Sequence, residues 1–326
     1  MPAHNAEATV ELAIAAVLGQ EYKPGLELVV VDDASTDATP ALAKKFPVKM
    51  VRLSKNAGAG AARNQGAKSA SGEILVFVDA DVYLDPGALS AIADFFALHP
   101  ESSALVGNYS AAPADRGAFS VYHNFFTTYH HELSRERIEW FWGALSAVRK
   151  HVFDRLGGFS EKYPGANAED IELGYRLSES GFQVNFQPGI CGRHARKFKL
   201  RSMLYNDFHK AVLGTKLYWT RKPAGKHPHG FSSPLNGLNL ALAILSWPAL
   251  LSSILHGGIL YLLLFGIFAA ANFRFYQYIQ RRAGALYTIN SIPLHWLTFN
   301  AIASGAIAGA IGLALGKGLE SGSRWI

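Results

Sequence analysis

The apolar positions change character along the chain. Up to about residue 195 they come as short runs and spaced stripes, and from 238 onward they are almost unbroken. Leu26 to Val31 (LELVVV) and Ile74 to Val78 (ILVFV) are compact apolar runs, the first ending in Asp32-Asp33 and the second in Asp79. Runs this apolar predict strands covered on both faces of a parallel sheet. Helical patterns at 7–19 and 37–46 alternate with them, the second opening at Ser35–Asp37 with acid in its first turn. Alternating strands and helices predict an α/β domain with a doubly wound sheet. Ligands of such sheets bind at the carboxyl ends of the strands, so both acidic clusters are expected to face one crevice.

Two further stripes are helical. In residues 118–133 Phe119, Tyr122, Phe126, Tyr129 and Leu133 recur at helical spacing, which suits either a core-packing helix or one lining an acceptor site. In residues 198–219 an apolar stripe from Leu200 through Met203, Phe208 and Val212 to Trp219 stands against Lys199, Arg201, Asn206, Lys210 and Lys216. That pattern predicts an amphipathic helix lying in a membrane interface.

Residues 238–271 then form a run of 34 largely apolar positions, broken by Pro248 and by His256-Gly257-Gly258. A bilayer core needs about 20 residues, so the run is one long tilted span or two short ones joined by a turn. Residues 292–315 make another, with Gly305-x-x-x-Gly309 and Gly312-x-x-x-Gly316 at spacings that allow close helix approach. The segment 272–291 carries Arg274, Arg281 and Arg282 and no acid. Returning it to the cytoplasmic side favours three spans, about 238–255, 258–272 and 292–315, and places the tail with Lys317, Glu320 and Arg324 outside. The expected organisation is thus a domain at 1–197, an interfacial helix and linker at 198–236, and a transmembrane region at 237–326.

Charge sharpens that division. The net charge is +6, yet ten Lys/Arg and one acid, Asp207, fall between Arg193 and Lys226, and without this segment the rest is slightly acidic. A basic block leading straight into membrane-like sequence suits an anionic cytoplasmic lipid surface better than nucleic acid, which is not expected as a partner. The single cysteine, Cys191, fits a reducing compartment. The first 20 residues lack the basic and apolar regions of a signal peptide.

The chemistry is carried by acids. Asp79-Ala80-Asp81, two carboxylates one residue apart at a strand end, suit a divalent cation and a ribose hydroxyl together; oxygen ligands favour Mg²⁺ or Mn²⁺. Such a cation would neutralise charge on a leaving nucleoside diphosphate. A lone DxD is weak evidence. The second cluster, Glu169-Asp170-Ile171-Glu172-Leu173, opens a helical pattern after a glycine-containing stretch. Its acids are either helix-start chemistry or, for Asp170, a general base for an acceptor hydroxyl.

The ordered set of motifs resembles glycosyltransferase family 2, the inverting enzymes of GT-A fold. The matching pieces are Pro2-Ala3-His4-Asn5, Val31-Asp32-Asp33-Ala34-Ser35-Thr36-Asp37, NAGAGAARNQG from Asn56 to Gly66, and Val78-Asp79-Ala80-Asp81. Trp142-Gly143 with Arg149, Gly157-Gly158-Phe159 and Glu169-Asp170-Ile171-Glu172-Leu173 complete the set, over about residues 1–195. The resemblance implies a Rossmann-like catalytic domain with a mostly parallel sheet and a nucleotide-diphosphate sugar donor. It implies that Pro2, Asn5, Glu7, Asp32, Asp33, Arg63 and Asp79 belong to the nucleotide pocket, with Asp32 and Asp33 on base and ribose. Asp81 would ligate the metal with Asp79 beside it, and His194 stands where many relatives have a third ligand; its bland alternative is a surface histidine. Asp170 would be the base and Glu169 would position a sugar. Trp140 and Trp142 would stack on a sugar or lipid head, or simply pack.

Departures from the family pattern matter as well. The QxxRW motif of processive synthases is absent, which argues against polymer synthesis. The resemblance also expects a strand ahead of the opening MPAHNAE, whose loss the fold should tolerate badly. The acceptor expected from the Glu169-Asp170 pair is a hydroxyl of a lipid-linked or membrane-proximal saccharide. A polyprenyl phosphate acceptor and a non-catalytic membrane scaffold are the alternatives. No GxGxxG follows a first strand, which argues against a dinucleotide-dependent dehydrogenase. Integral membrane placement with a cytoplasmic catalytic domain follows from the charge pattern.

Overall fold

The computed structural model describes residues 1–22, 25–162, 168–221, 234–256 and 258–316. From the N-terminus the elements are β1 (Pro2–Ala3), α1 (Val10–Leu18), β2 (Val29–Asp32), α2 (Thr39–Ala43), β3 (Lys49–Arg52), α3 (Ala59–Ser69) and β4 (Ile74–Val78). There follow β5 (Val82–Leu84), α4 (Ala88–Leu98), β6 (Ser102–Tyr109), α5 (Ala118–Glu132), β7 (Arg137–Ile138) and β8 (Leu145–Arg149). The α/β part closes with α6 (Lys150–Arg155), α7 (Glu169–Glu179) and β9 (Gln183–His194). Only helices come after it: α8 (Leu200–Arg221), α9 (Pro234–His256), α10 (Ile259–Ala271), α11 (Phe273–Ala283) and α12 (Ala285–Ala314).

The α/β class expected from the apolar runs is present. One sheet, ordered β1-β2-β3, is parallel throughout. The second, β4-β8-β6-β9-β5 with β7 on β9, is mixed: β6 and β9 run parallel, and the other pairings are antiparallel. A short strand lies within the opening MPAHNAE itself, with Pro2 against Val31 and Ala3 against Asp32. Next to Met1 a cavity of about 300 Å³ lies between the two sheets, lined by Leu28 and Val29 on one side and Ile74 and Phe77 on the other.

β2 and β6 are buried along their whole length, which is why their sequences show no alternation. Val30, Leu105, Leu145 and Ala147 form one core, and Phe77, Phe141, Phe153 and Phe159 another beneath α7. A third core joins the α/β part to the helices: Tyr122, Phe125 and Phe126 of α5 pack with Phe268, Phe275 and Phe299.

Two described helices, α9 over Pro234–Ser252 and α12, are long and apolar enough to cross a membrane. α10 has 13 residues and meets α11 at a bend of 62°; counted as one broken span, the pair makes a third. The structure revises two expectations here. The segment 272–291 is not a loop but α11 and the first turns of α12, because its apolar residues Phe275, Tyr276 and Ile279 find a buried face against α12 and α5. The helix that carries the expected last span therefore begins at Ala285. Gly257 of the expected turn and the tail with Lys317, Glu320 and Arg324 lie outside the described residues.

The stripe on α8, expected against a membrane interface, is turned mostly inward. Of the stripe, Met203 is buried, Ala211 and Thr215 lie against Gly305 and Gly309 of α12, and Trp219 is exposed; beside it, Leu213 and Leu217 pack with Ala168, Ile171 and Tyr175. The glycine spacing of α12 serves this same helix. A Cβ on Gly305 would stand 2.2 Å from the Phe208 carbonyl oxygen, and one on Gly309 2.7 Å from that of Val212. α8 and α12 thus touch backbone to backbone.

Candidate active site

The acids that looked alike in the sequence have different partners. Asp32 is fully buried: Oδ1 accepts the Ser35 N–H at 3.0 Å and Oδ2 lies 3.1 Å from Arg52 Nε. Asp33 accepts the N–H groups of Ala57 at 2.7 Å and Gly58 at 2.9 Å, which ties the glycine-rich loop ahead of α3 to the end of β2. Asn5, at φ 48°, receives the Thr36 N–H on Oδ1, and Glu7 receives that of Ala38 ahead of α2. Pro2 contributes backbone pairing to β2. These residues knit the loops at the carboxyl edge of the parallel sheet.

At the end of β4 the carboxylates meet side chains instead. Arg63, projecting from α3 and buried, donates to Asp79 at 2.8 Å and to Glu169 at 2.9 Å. One guanidinium therefore ties the DxD motif to the start of α7, where Glu169 lies 106 residues from Arg63 in the chain. Two glycines make room for this. A Cβ on Gly143 would fall 2.4 Å from Arg63 Cζ, and one on Gly174 would fall 2.4 Å from the Phe141 backbone nitrogen. α7 consequently lies close on the segment 140–143, where the Gly143 N–H donates to Asp170 Oδ2 at 3.2 Å.

Asp81 looks the other way. β5 pairs antiparallel with β9 at Val82 and His194, and the Ala195 N–H donates to the Asp81 carbonyl at 2.8 Å. His194 Nε2 then lies 3.6 Å from Asp81 Oδ2, and its ring stacks on Tyr109 at 4.4 Å. Burial works to raise the Asp81 carboxyl, but His194 outweighs it and holds the acid below its ordinary value. Burial raises Asp79 in spite of Arg63. Burial, with Glu169 alongside, pushes Asp170 up to about 6.

Arg63, Asp79, Asp81, Glu169, Asp170 and His194 all line one cavity of about 400 Å³. Trp140 and Trp142 line it as well, packed on His131 with ring centroids 4.7 Å from it in both cases. Pro2, Asn5, Glu7, Asp32 and Asp33 do not. α5 buries Tyr122 and Phe125 in the core and turns His123 and Thr127 to the cavity. Asp81 and His194 bring a carboxylate and an imidazole to one point, a donor set that suits Mn²⁺ or Mg²⁺ completed by phosphate oxygens and water. Among the described residues no three candidate ligands cluster tightly, since Asp79 is held by Arg63.

Several cavity residues had no separate signal in the sequence: Tyr109 ends an apolar strand, His123 sits inside an aromatic helix, and Arg196 belongs to the basic block. Asp207 did have one, as the lone acid of that block.

Comparison with known proteins bears on the whole arrangement. Residues 1–157 match the model of glycosyl transferase family 2, and residues 123–200 match that of the N-terminal domain of galactosyltransferase. A probable glycosyltransferase of Bacillus subtilis, YdaM, is 28% identical over 203 residues, spanning 58% of this chain and 48% of its own. Validoxylamine A glucosyltransferase of Streptomyces hygroscopicus subsp. limoneus is 29% identical over 233 residues, with 60% and 51% covered. The chain thus spans about half the length of these curated relatives. Among solved structures, the mannosyltransferase PcManGT from Pyrobaculum calidifontis, in complex with GDP-Man and Mn²⁺, superposes with a TM-score of 0.58. The superposition covers 97% of this chain and 86% of that one at 21% identity, so the likeness is one of fold and extends over the C-terminal helices. Over residues 1–157, most of its α/β domain, the chain is therefore similar to glycosyl transferase family 2.

Proposed function

We propose that the chain is a membrane-bound, inverting glycosyltransferase that moves a sugar from a nucleotide-diphosphate donor to a hydroxyl of a lipid-linked or membrane-proximal saccharide. The catalytic domain would work on the cytoplasmic face, in surface polysaccharide or glycolipid assembly. One observation carries the reading. The acids of the DxD motif and the Glu169-Asp170 pair share a cavity whose wall continues onto α8 and α12, where Lys210, Ala211 and Ile302 line it.

Asp170 serves as base. Its carboxylate takes the proton of the acceptor hydroxyl as that oxygen attacks the anomeric carbon, on the face opposite the departing diphosphate. The new glycosidic C–O bond forms as the bond to the diphosphate oxygen breaks, and the configuration inverts. The Gly143 N–H fixes the orientation of the base. Glu169 acts through Arg63, holding the guanidinium against Asp79 so that the donor side of the cavity keeps its shape. Asp81 and His194 would hold a divalent cation, which supplies charge neutralisation at the leaving diphosphate. Asp33, with the Asn5 and Glu7 contacts, sets the loops bordering the nucleotide.

A second reading, transfer to a polyprenyl phosphate, draws on Arg196 and Lys210, cations that line the same cavity. The two separate on the product, a glycoside in one case and an acid-labile sugar phosphodiester in the other. The test uses purified protein in lipid with a panel of nucleotide sugars, Mn²⁺, Mg²⁺ or EDTA, and a membrane lipid extract. Nucleoside diphosphate release that needs metal and rises with lipid is the expected result. No release with any donor would sink the transferase reading.

A further inference from the structure

The cavity does not end at the catalytic acids. Its other wall, built by α5, α8 and α12, carries polar groups for which the transfer step has no use. His123 of α5 and Asp207 of α8 face each other, Nε2 to Oδ1 at 3.4 Å, with side chains only 7% and 6% exposed. The His123 ring is stacked on Phe198, 4.3 Å between centroids, which holds it in place from the side. Each partner keeps one buried polar atom without a hydrogen bond among the described residues: Nδ1 of His123 and Oδ2 of Asp207. Buried polar atoms are rarely left this way, because their lost hydration goes uncompensated. Both residues line the cavity through other atoms, and a turn of either side chain would bring its unpartnered atom to a bound molecule.

What kind of molecule fits is set by the neighbours. Asn206, whose amide reaches Asp207 at 3.3 Å, and Lys210, one turn further along α8, border the same space. A carboxylate, an imidazole and a carboxamide together both donate and accept, as hydroxyl-bearing ligands require. The half-buried indole of Trp142 brings apolar surface to the same cavity, suited to the C–H side of a pyranose. A phosphate would meet Asp207 carboxylate to anion, which disfavours it at this spot.

We propose that His123, Asn206 and Asp207 form an acceptor subsite that holds the saccharide whose hydroxyl Asp170 deprotonates. This rests on the transferase reading, and it adds the residues that select the acceptor. In this site Asp207 accepts from one sugar hydroxyl and His123 bonds a second.

The test uses the full chain in lipid nanodiscs. Saturation-transfer NMR follows a panel of methyl glycosides of glucose, galactose, mannose and N-acetylglucosamine, with UDP or GDP and Mn²⁺ present. At least one glycoside is expected to bind. Asp207→Asn and His123→Gln, on separate helices so that a folding defect in one does not decide the matter, each weaken it about tenfold, the scale of one lost hydrogen bond to a charged or buried group. Affinity for UDP or GDP stays within about twofold, and in turnover the variants raise acceptor KM far more than they lower kcat. The proposal is overturned if no glycoside binds the unaltered chain, or if both variants bind as it does. It is equally overturned if methyl phosphate binds in the glycosides' place and Lys210→Gln abolishes that binding. Glycoside binding in a chain that turns over no donor would support the subsite while sinking the transferase reading.

Discussion

Asp32-Asp33 and Asp79-Ala80-Asp81 are twins on paper, each a pair of carboxylates after a buried apolar strand. In the folded chain they part company. The side chain of Asp32 is fully buried and Asp33 nearly so; their oxygens are taken mainly by backbone N–H groups of neighbouring loops. Asp79 and Asp81 keep about three-tenths of their side chains exposed, and their partners are Arg63 and His194. A carboxylate satisfied by backbone is a fastener, because its loss frees a loop. One satisfied by a movable side chain at a cavity wall can exchange that partner for a cation or a substrate. The difference lies in who supplies the hydrogen bonds, which the motif alone does not reveal.

That contrast can be pressed experimentally. Asp81→Ala should be the most damaging change, lowering metal-dependent nucleoside diphosphate release by about a thousandfold, the scale of several kcal/mol of charge stabilisation at the leaving group. Retained activity would return Asp81 to the fasteners. Asp170→Asn should cost transfer roughly a hundredfold or more while donor affinity measured by calorimetry barely changes. Because the Asp170 carboxyl is pushed up to about 6, the base form is present above that pH and lost below it. The kcat of the unaltered enzyme should therefore climb as pH rises through about 6, and Asp170→Asn should flatten the climb.

Arg63→Met tests the bridge between the two acidic motifs. It leaves Asp79 and Glu169 facing without their shared cation and should cost about 3–5 kcal/mol in denaturant unfolding, with activity lost alongside. Asp33→Ala is expected to be milder and of another kind. Two backbone N–H groups lose their acceptor, about 1–3 kcal/mol, and donor KM should rise more than kcat falls. A kcat collapse there would erase the distinction between the two pairs. The smallest effect is expected at Gly214→Ala, which should lose no stability in the same denaturant unfolding, since a Cβ there meets nothing within 4 Å and alanine suits the helix better.

Local pattern revealed strands within ILVFV and LELVVV, the helix over 118–133 and the acids themselves, because apolar runs and helical spacing are written residue by residue; it misjudged ILVFV as part of a parallel sheet, where it is an end strand paired antiparallel with β8. What stayed hidden depends on pairing across the chain. Arg63 sits in a glycine- and alanine-rich helix with nothing to show that it would reach both Asp79 and Glu169. The role of Gly143 and Gly174 is to be absent as side chains, which is visible only once Arg63 and the Phe141 backbone are in place. The antiparallel pairing of β5 with β9, which carries His194 to Asp81, joins segments over a hundred residues apart. The stripe on α8 read as membrane-facing because an apolar helix face is the same whether lipid or α12 covers it.

Gly305 and Gly309 leave no side-chain cushion between α8 and α12. The two helices are a stiff plank, and one edge of that plank, with Lys210 and Ile302, is a wall of the reaction chamber. In the membrane-bound reading α12 also bears the lateral pressure of the acyl chains. With nothing soft between them, a push on α12 arrives at the chamber undamped. In that reading, bilayer thickness and the detergent chosen for purification are expected to reach the chamber through α12.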